Sequence, residues 1–188
     1  MALFKDKYRV ESTRLSGWDY ASFGYYFVTI CTHERACFLG EICNGAMVLS
    51  PQGTIVAEEW RRTGVLRENV VLDEWVIMPN HLHGIVIIRG ANVETHCNAS
   101  LQRQQPTNKF GPQRNNLASI IRGFKGCTTK RIREAGFDFG WQTRFYEHVI
   151  RDEKSLDEIR SYIVNNPLKW ELDKNHPKFL RLPPLHPM

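Results

Sequence analysis

Residues 73–89 read DEWVIMPNHLHGIVIIR, two apolar runs joined across Met78-Pro79-Asn80. Trp75, Val76, Ile77 and Met78 read as a buried strand, Pro-Asn as a turn, and Leu82, Ile85, Val86, Ile87 and Ile88 as a second, β-branched strand. The pattern predicts a hairpin of core strands. In an extended chain side chains alternate faces, so His81 and His83 project to one side and Leu82 to the other. Two neutral imidazoles side by side on a rigid strand are a candidate seat for a divalent cation. A satisfied structural pair is the competing reading, because a chain of 188 residues with seven histidines can carry one His-x-His by chance. The setting favours use, since two adjacent imidazoles are costly to bury in an apolar strand without partners.

The length suits one domain with a real core, and 42% hydrophobic and 24% charged residues exclude wholesale disorder and a fibrous class. No apolar run approaches the roughly 18 residues of a membrane helix. The opening stretch MALFKDKYRVESTR has neither an apolar core nor a small-residue cleavage site, which predicts a cytoplasmic protein. Five cysteines, odd in number and without Cys-x-x-Cys spacing, disfavour a structural zinc site, and Cys31 reads as a small core residue. A net charge of +5 with pI near 9.0 favours a polyanionic partner such as nucleic acid.

Outward from the hairpin, residues 1–23 form a lead-in arm whose Lys5, Lys7, Arg9 and Arg14 are candidates for a phosphate backbone. YYFVTICT at 25–32 is a core strand, and residues 38–49 form a short hairpin through Asn44-Gly45. Ser50 as N-cap and Pro51 at the first helical position open a helix ending near Thr63. Strand, helix, strand, strand points to an α+β layer. Residues 91–116 form a polar connection, and residues 117–134 an amphipathic basic helix. In it Arg122, Lys125, Lys130 and Arg131 are candidate phosphate contacts or a solvated face. Residues 139–150 are aromatic and β-rich, with Trp141, Arg144, Tyr146 and His148 as candidate base-stacking or phosphate residues beside a plain core reading. Residues 152–166 form a helix opened by Asp152 or by a Ser155-x-x-Glu158 capping box, and Pro167 ends or kinks it. The tail after Lys174 reads as extended packing or disorder.

In that last helix Tyr162 and Asn166 are four residues apart and share a face. An amide oxygen with two imidazoles makes a three-ligand site with open positions, suited to Mg²⁺ or Mn²⁺ and a phosphate oxygen. Tyr162 beside it is a candidate nucleophile, against the bland reading of a packed helix tyrosine. Tyr146 competes for that role but lacks the four-residue link to Asn166.

Three separated motifs carry a resemblance. Met78-Pro79-Asn80-His81-Leu82-His83-Gly84 resembles the His-hydrophobic-His signature of the HUH single-tyrosine transposases. Trp141-Gln142-x-x-Phe145-Tyr146-x-His148 and Tyr162-Ile163-x-x-Asn166-Pro167 resemble the REP-associated tyrosine transposase branch. The resemblance spans residues 25–170. It implies a ferredoxin-like antiparallel β-sheet with helices packed on one face, commonly as a homodimer, and a transposase domain over 24–170 between the arm and a 171–188 tail. It also implies His81 and His83 as metal-binding pair, Asn166 as third ligand, and Tyr162 as nucleophile on a single-stranded DNA phosphate near hairpins. A 5′-phosphotyrosine link and a free 3′-OH result, and a second 3′-OH reverses the step without ATP. Mobile-element relatives carry Gln where this chain has Asn166, which favours the REP-associated branch. A hairpin-binding regulator that does not cut and a metal-dependent nuclease using water are the alternatives.

Overall fold

The computed structural model describes residues 14–15, 17–89 and 116–180. Lys5, Lys7, Arg9 and all of the polar connection before Asn116 lie outside the described residues. Strand β1 (Gly24–Cys31) leads through a short turn to a hairpin, β2 (Gly40–Cys43) and β3 (Ala46–Leu49). Asn44 and Gly45 turn that hairpin with positive φ of 51° and 76°, the left-handed pair a two-residue turn demands. Helix α1 (Pro51–Val65) starts where Ser50 accepts a hydrogen bond from the Gly53 amide at 3.0 Å. Strands β4 (Val70–Met78) and β5 (His81–Ile88) follow, then α2 (Leu117–Glu134), β6 (Tyr146–Ile150), α3 (Glu153–Asn165), a 3₁₀ segment (Pro167–Leu172) and α4 (Pro177–Leu180).

Strands β1, β4, β5 and β6 make one sheet in the order β4-β5-β1-β6, every pair antiparallel. With α1 and α2 as crossovers this is the βαββαβ arrangement of ferredoxin-like folds. The alternation along β1 and β5 sorts the core into two. Tyr26, Val28, Ile30, Leu82, Val86 and Ile88 face Trp60 of α1 and Ile120, Ile121 and Phe124 of α2. Phe27, Ile85 and Ile150 face the other way, toward Leu156 and Ile163 of α3. Helices α1 and α2 thus share one face, as expected, and α3 departs from the one-face expectation by crossing the opposite one. That opposite face carries His81 and His83. Gly84 lets the Trp60 indole press against the sheet behind them, since a Cβ there would stand 2.7 Å from the ring.

Two devices hold α3 in place. Asp152, not the Ser155-x-x-Glu158 box, caps it by accepting from the Ser155 amide at 2.8 Å. A bulge between Leu72 and Trp75 in β4 leaves Asp73 beside α3, where Arg160 forks onto it with Nη2 at 2.6 Å and Nε at 3.1 Å from Oδ2. Full burial of Ile163, worth about 1.5–3 kcal/mol, fixes the helix rotation that leaves Tyr162 beside the histidines.

The end of the chain differs from expectation. Asn166 keeps helical angles (φ −61°, ψ −42°) although Pro167 follows, and the backbone tightens into a 3₁₀ turn. Pro167 sits at its first position, where no N–H is needed, and Trp170 is buried as a result. Residues 173–176 then form a turn with Asp173 and Asn175 buried, and α4 follows, where an extended or disordered tail was expected. The segment is polar and held by tertiary hydrogen bonds, so it has no periodicity to read.

Candidate metal and nucleophile site

Strand register sets the centre. Thr29 and Cys31 of β1 lie opposite His83 and His81, and both imidazoles are almost wholly buried. Their Nε2 atoms stand 3.0 Å apart. Each ring's other nitrogen has a partner. Asn80 donates from Nδ2 to the carbonyls of Arg35 (2.9 Å) and Asn175 (2.8 Å), which turns its Oδ1 toward His81. His81 Nδ1–H therefore donates to Asn80 Oδ1 at 2.8 Å, and its Nε2 keeps a lone pair aimed into the site. His83 Nδ1 lies 2.9 Å from Thr29 Oγ1, and with Thr29 accepting, its Nε2 lone pair also points inward.

The remaining groups come from the far end of the chain. Tyr162 Oη is 3.2 Å from His83 Nε2, and its ring meets Phe27 and His83 at centroid distances of 6.1 and 5.2 Å. Asp173 Oδ2 lies 3.8 Å from His81 Nε2. One ligand atom each from His81, His83 and Asp173 fit within 4.8 Å of one another, a group that could hold a metal ion. Asn166 is buried with its Oδ1 lacking any hydrogen-bond partner. A buried orphan oxygen costs about 1–3 kcal/mol, which a cation would relieve. Two cis nitrogens on an octahedral ion with bonds of about 2.1 Å stand about 3.0 Å apart, which matches the imidazole spacing. The donor set thus fits a hard or borderline divalent cation such as Mg²⁺ or Mn²⁺.

Electrostatics agree with ligand use. Burial, helped by the nearby Arg35 and Lys174 charges, pushes His81 down to about 3, and burial with the neighbouring His81 pushes His83 well below its usual value. Neutral imidazoles bind metal; protonated ones do not. With His81 neutral, its approach to Asp173 is a charge–dipole contact, not an ion pair. Burial and the Asp173 carboxylate raise the Tyr162 phenol, while the Asn166 amide pulls it back.

The two histidines make stability pH-dependent. Their folded values lie below the unfolded value of about 6.5, so the unfolded chain binds more protons in between. The His81 contribution is full above about 6.5 and is lost as pH falls toward 3, by up to about 1.4 kcal/mol per pH unit, and His83 acts in the same direction. Urea titrations between pH 7 and 4.5 in chelator should show this slope, and His81→Gln should flatten it. An unchanged slope in that variant would contradict the burial argument. Asn80→Ala should weaken Mn²⁺ binding about 10- to 100-fold by calorimetry, because it frees the His81 ring and strands the Arg35 and Asn175 carbonyls.

The structure brings His81, His83 and Tyr162 together, with the Asn166 amide against Tyr162, and places most of the expected DNA contacts elsewhere. Helix α2 lies on the face of the sheet away from the histidines. Lys125 Nζ donates to the carbonyls of Gln142 (2.7 Å) and Arg144 (2.9 Å), and burial lowers it to about 8. Arg131 pairs with Glu58 and Glu59 at 2.7 and 2.8 Å. Arg122 is exposed, and Lys130 is exposed with Glu134 at 3.7 Å. Arg144 is exposed just before β6, and His148, opposite Phe27 in the register, is exposed on the histidine face. Sequence reasoning missed Asp173, which has no motif around it. It missed Asn80 as well, though the residue sits inside the quoted motif, because Pro-Asn reads as a turn.

Comparison with known proteins adds the following. No protein-family profile matches the chain. An "Uncharacterized protein" of Haemophilus influenzae is 41% identical over 165 residues, covering 87% of this chain and 91% of that protein. A second Haemophilus influenzae protein, "Putative REP-associated tyrosine transposase", is 32% identical over 93 residues, covering 50% of this chain and 47% of its own length. A solved REP-associated tyrosine transposase bound to a REP hairpin has the same fold, with a TM-score of 0.57 at 20% identity, covering 88% of this chain and 77% of that one. The chain is thus similar to a REP-associated tyrosine transposase over half of its sequence and shares the fold of another. Among the described residues no helix is long and apolar enough to cross a membrane.

Proposed function

We propose that this protein cuts and rejoins single-stranded DNA through Tyr162, next to hairpins of the REP type. The observation that carries the reading is the Tyr162 hydroxyl 3.2 Å from Nε2 of His83, within the buried histidine pair. The hairpin substrate is supported by the neighbour of like fold, which is bound to one. In the forward step the phenol loses its proton, its oxygen bonds to phosphorus, and the P–O3′ bond breaks. The leaving oxygen takes a proton and becomes a 3′-OH, and the downstream strand stays on Tyr162 as a 5′-phosphotyrosine. The bond count is unchanged, so a 3′-OH can reverse the step.

His81, His83, Asn166 and Asp173 would hold the divalent cation, which when bound supplies positive charge to the attacked phosphate. The protein's own contributions are positional. Arg160 on Asp73 and the buried Ile163 fix the helix carrying Tyr162, and Asn80 and Thr29 fix the imidazole rings. Phe27 stacks on His83 at 5.3 Å and walls one side of the phenol, leaving Tyr162 41% exposed for a strand to approach. His148 and Arg144, free of ion pairs among the described residues, are the backbone contacts we assign; Lys125 and Arg131 are engaged within the protein.

A hairpin with single-stranded flanks, labelled at either end and incubated with Mg²⁺ or Mn²⁺, tests the reading on a denaturing gel. The 3′-labelled fragment should migrate with protein and the 5′-labelled fragment should run free with a 3′-OH. Cleavage with both fragments free would replace the tyrosine with water.

A further inference from the structure

Two exposed groups beside the site, Tyr146 and Lys174, have no part in the reading above. Tyr146 opens β6, the edge strand, and lies opposite Thr29, the partner of His83. It therefore projects onto the histidine face. The residue is 55% exposed and its ring meets Phe27 edge-on at 6.3 Å, so the Phe27 ring that walls Tyr162 also braces Tyr146. Lys174 Nζ stands 5.7 Å from the centre of the Tyr146 ring, on an exposed side chain. Its charge also reaches inward, pressing on both histidines. The ammonium thus stands over an exposed tyrosine and within electrostatic reach of the histidine pair. His148, two residues along β6, projects to the same face about 6.7 Å away.

Tyr146 is braced from one side by Phe27, is exposed over more than half of the residue, and has a cation over its ring. That arrangement matches how single strands are held without sequence readout: a base on an aromatic face, its phosphate on a nearby lysine. As a nucleophile Tyr146 is poorly placed, because its hydroxyl has no hydrogen bond to either histidine, whereas Tyr162 has one.

We propose that Tyr146 and Lys174 form a nucleotide subsite adjoining the cut, the base stacked on the Tyr146 ring and its phosphate held by Lys174. The subsite rests on the single-strand reading above. It predicts that affinity for the flanking strand depends on the ring and not on the hydroxyl.

The test uses the full chain and a hairpin with a single-stranded flank carrying 2-aminopurine at one position at a time, with the bare hairpin as control. Wild type should quench one flank position selectively. Tyr146→Ala should lose that quench and bind the flanked hairpin about 10- to 100-fold more weakly, with the bare hairpin unchanged. Tyr146→Phe should keep both quench and affinity. Lys174→Gln should lower the slope of log affinity against log salt by about 0.7. Wild-type binding and covalent linkage with Tyr146→Ala indistinguishable from wild type would overturn the subsite alone. Failure of wild type to bind or link the flanked hairpin would overturn the single-strand reading, and the subsite with it. Loss of linkage in Tyr146→Phe would assign the hydroxyl to chemistry and overturn the stacking role.

Discussion

Replacing Tyr162 with phenylalanine removes the covalent protein–DNA band, a loss of at least about a thousandfold, while leaving the fold and hairpin binding intact. The size follows from what the change deletes. Phenylalanine keeps the ring that meets Phe27 and His83 and loses only the oxygen, whose partner is Nε2 of His83. One partly exposed hydrogen bond is worth about 0.5–1.5 kcal/mol, so stability barely moves. A nucleophile has no substitute, and losses of its kind are among the largest known in enzyme mutagenesis. Tyr146→Phe is the internal control and retains the band. A Tyr162→Phe protein that still links DNA would contradict the assignment.

The second large effect belongs to His83→Ala. Substituting a residue that only orients a metal ligand costs about 10- to 100-fold in affinity, so deleting the ligand should cost more than about 100-fold, read by Mn²⁺ calorimetry. Cleavage should fall with it. The change also empties a buried volume, unstacks Phe27 and leaves the Thr29 hydroxyl without its partner. Near neutral pH this destabilises the fold by about 2–3 kcal/mol. The deficit should shrink toward pH 5, because wild type there begins to lose the stability that its depressed histidines confer only when neutral. Unchanged Mn²⁺ affinity in a folded His83→Ala protein would remove His83 from the ligand set.

Much of this was legible because it is local. The β-branched run after Asn80 fixes an extended strand, and its two-residue period puts His81 and His83 on one face. Asn44-Gly45, Ser50 and Asp152 act through bonds a few residues away, so their roles follow from their neighbours. The four-residue step from Tyr162 to Asn166 needs only a helix. Which face of the sheet α3 covers is a different matter. Its apolar stripe shows that one side is buried, but Leu156 and Ile163 meet Phe27, Ile85 and Ile150 only because the chain crosses the sheet after β6. Charge was the least readable property. Arg131 reads as a phosphate contact until Glu58 and Glu59, some seventy residues away, are seen to hold it. Asp173 and Asn175 enter the site through single long-range contacts, with Asn80 ninety-five residues from Asn175, and such contacts leave no period in the sequence.

The most direct measurement is the identity of the residue that carries DNA. The adduct formed with a flanked hairpin and Mn²⁺ would be trimmed with nuclease, digested with trypsin and read by mass spectrometry. Cleavage after Arg160 and Lys169 yields SYIVNNPLK, residues 161–169, with Tyr162 as its one tyrosine, and cleavage after Arg144 and Arg151 yields FYEHVIR, residues 145–151, with Tyr146. A nucleotide mass on the 161–169 peptide is the predicted result. The same mass on 145–151, or cleaved DNA with no modified peptide at all, would contradict the account.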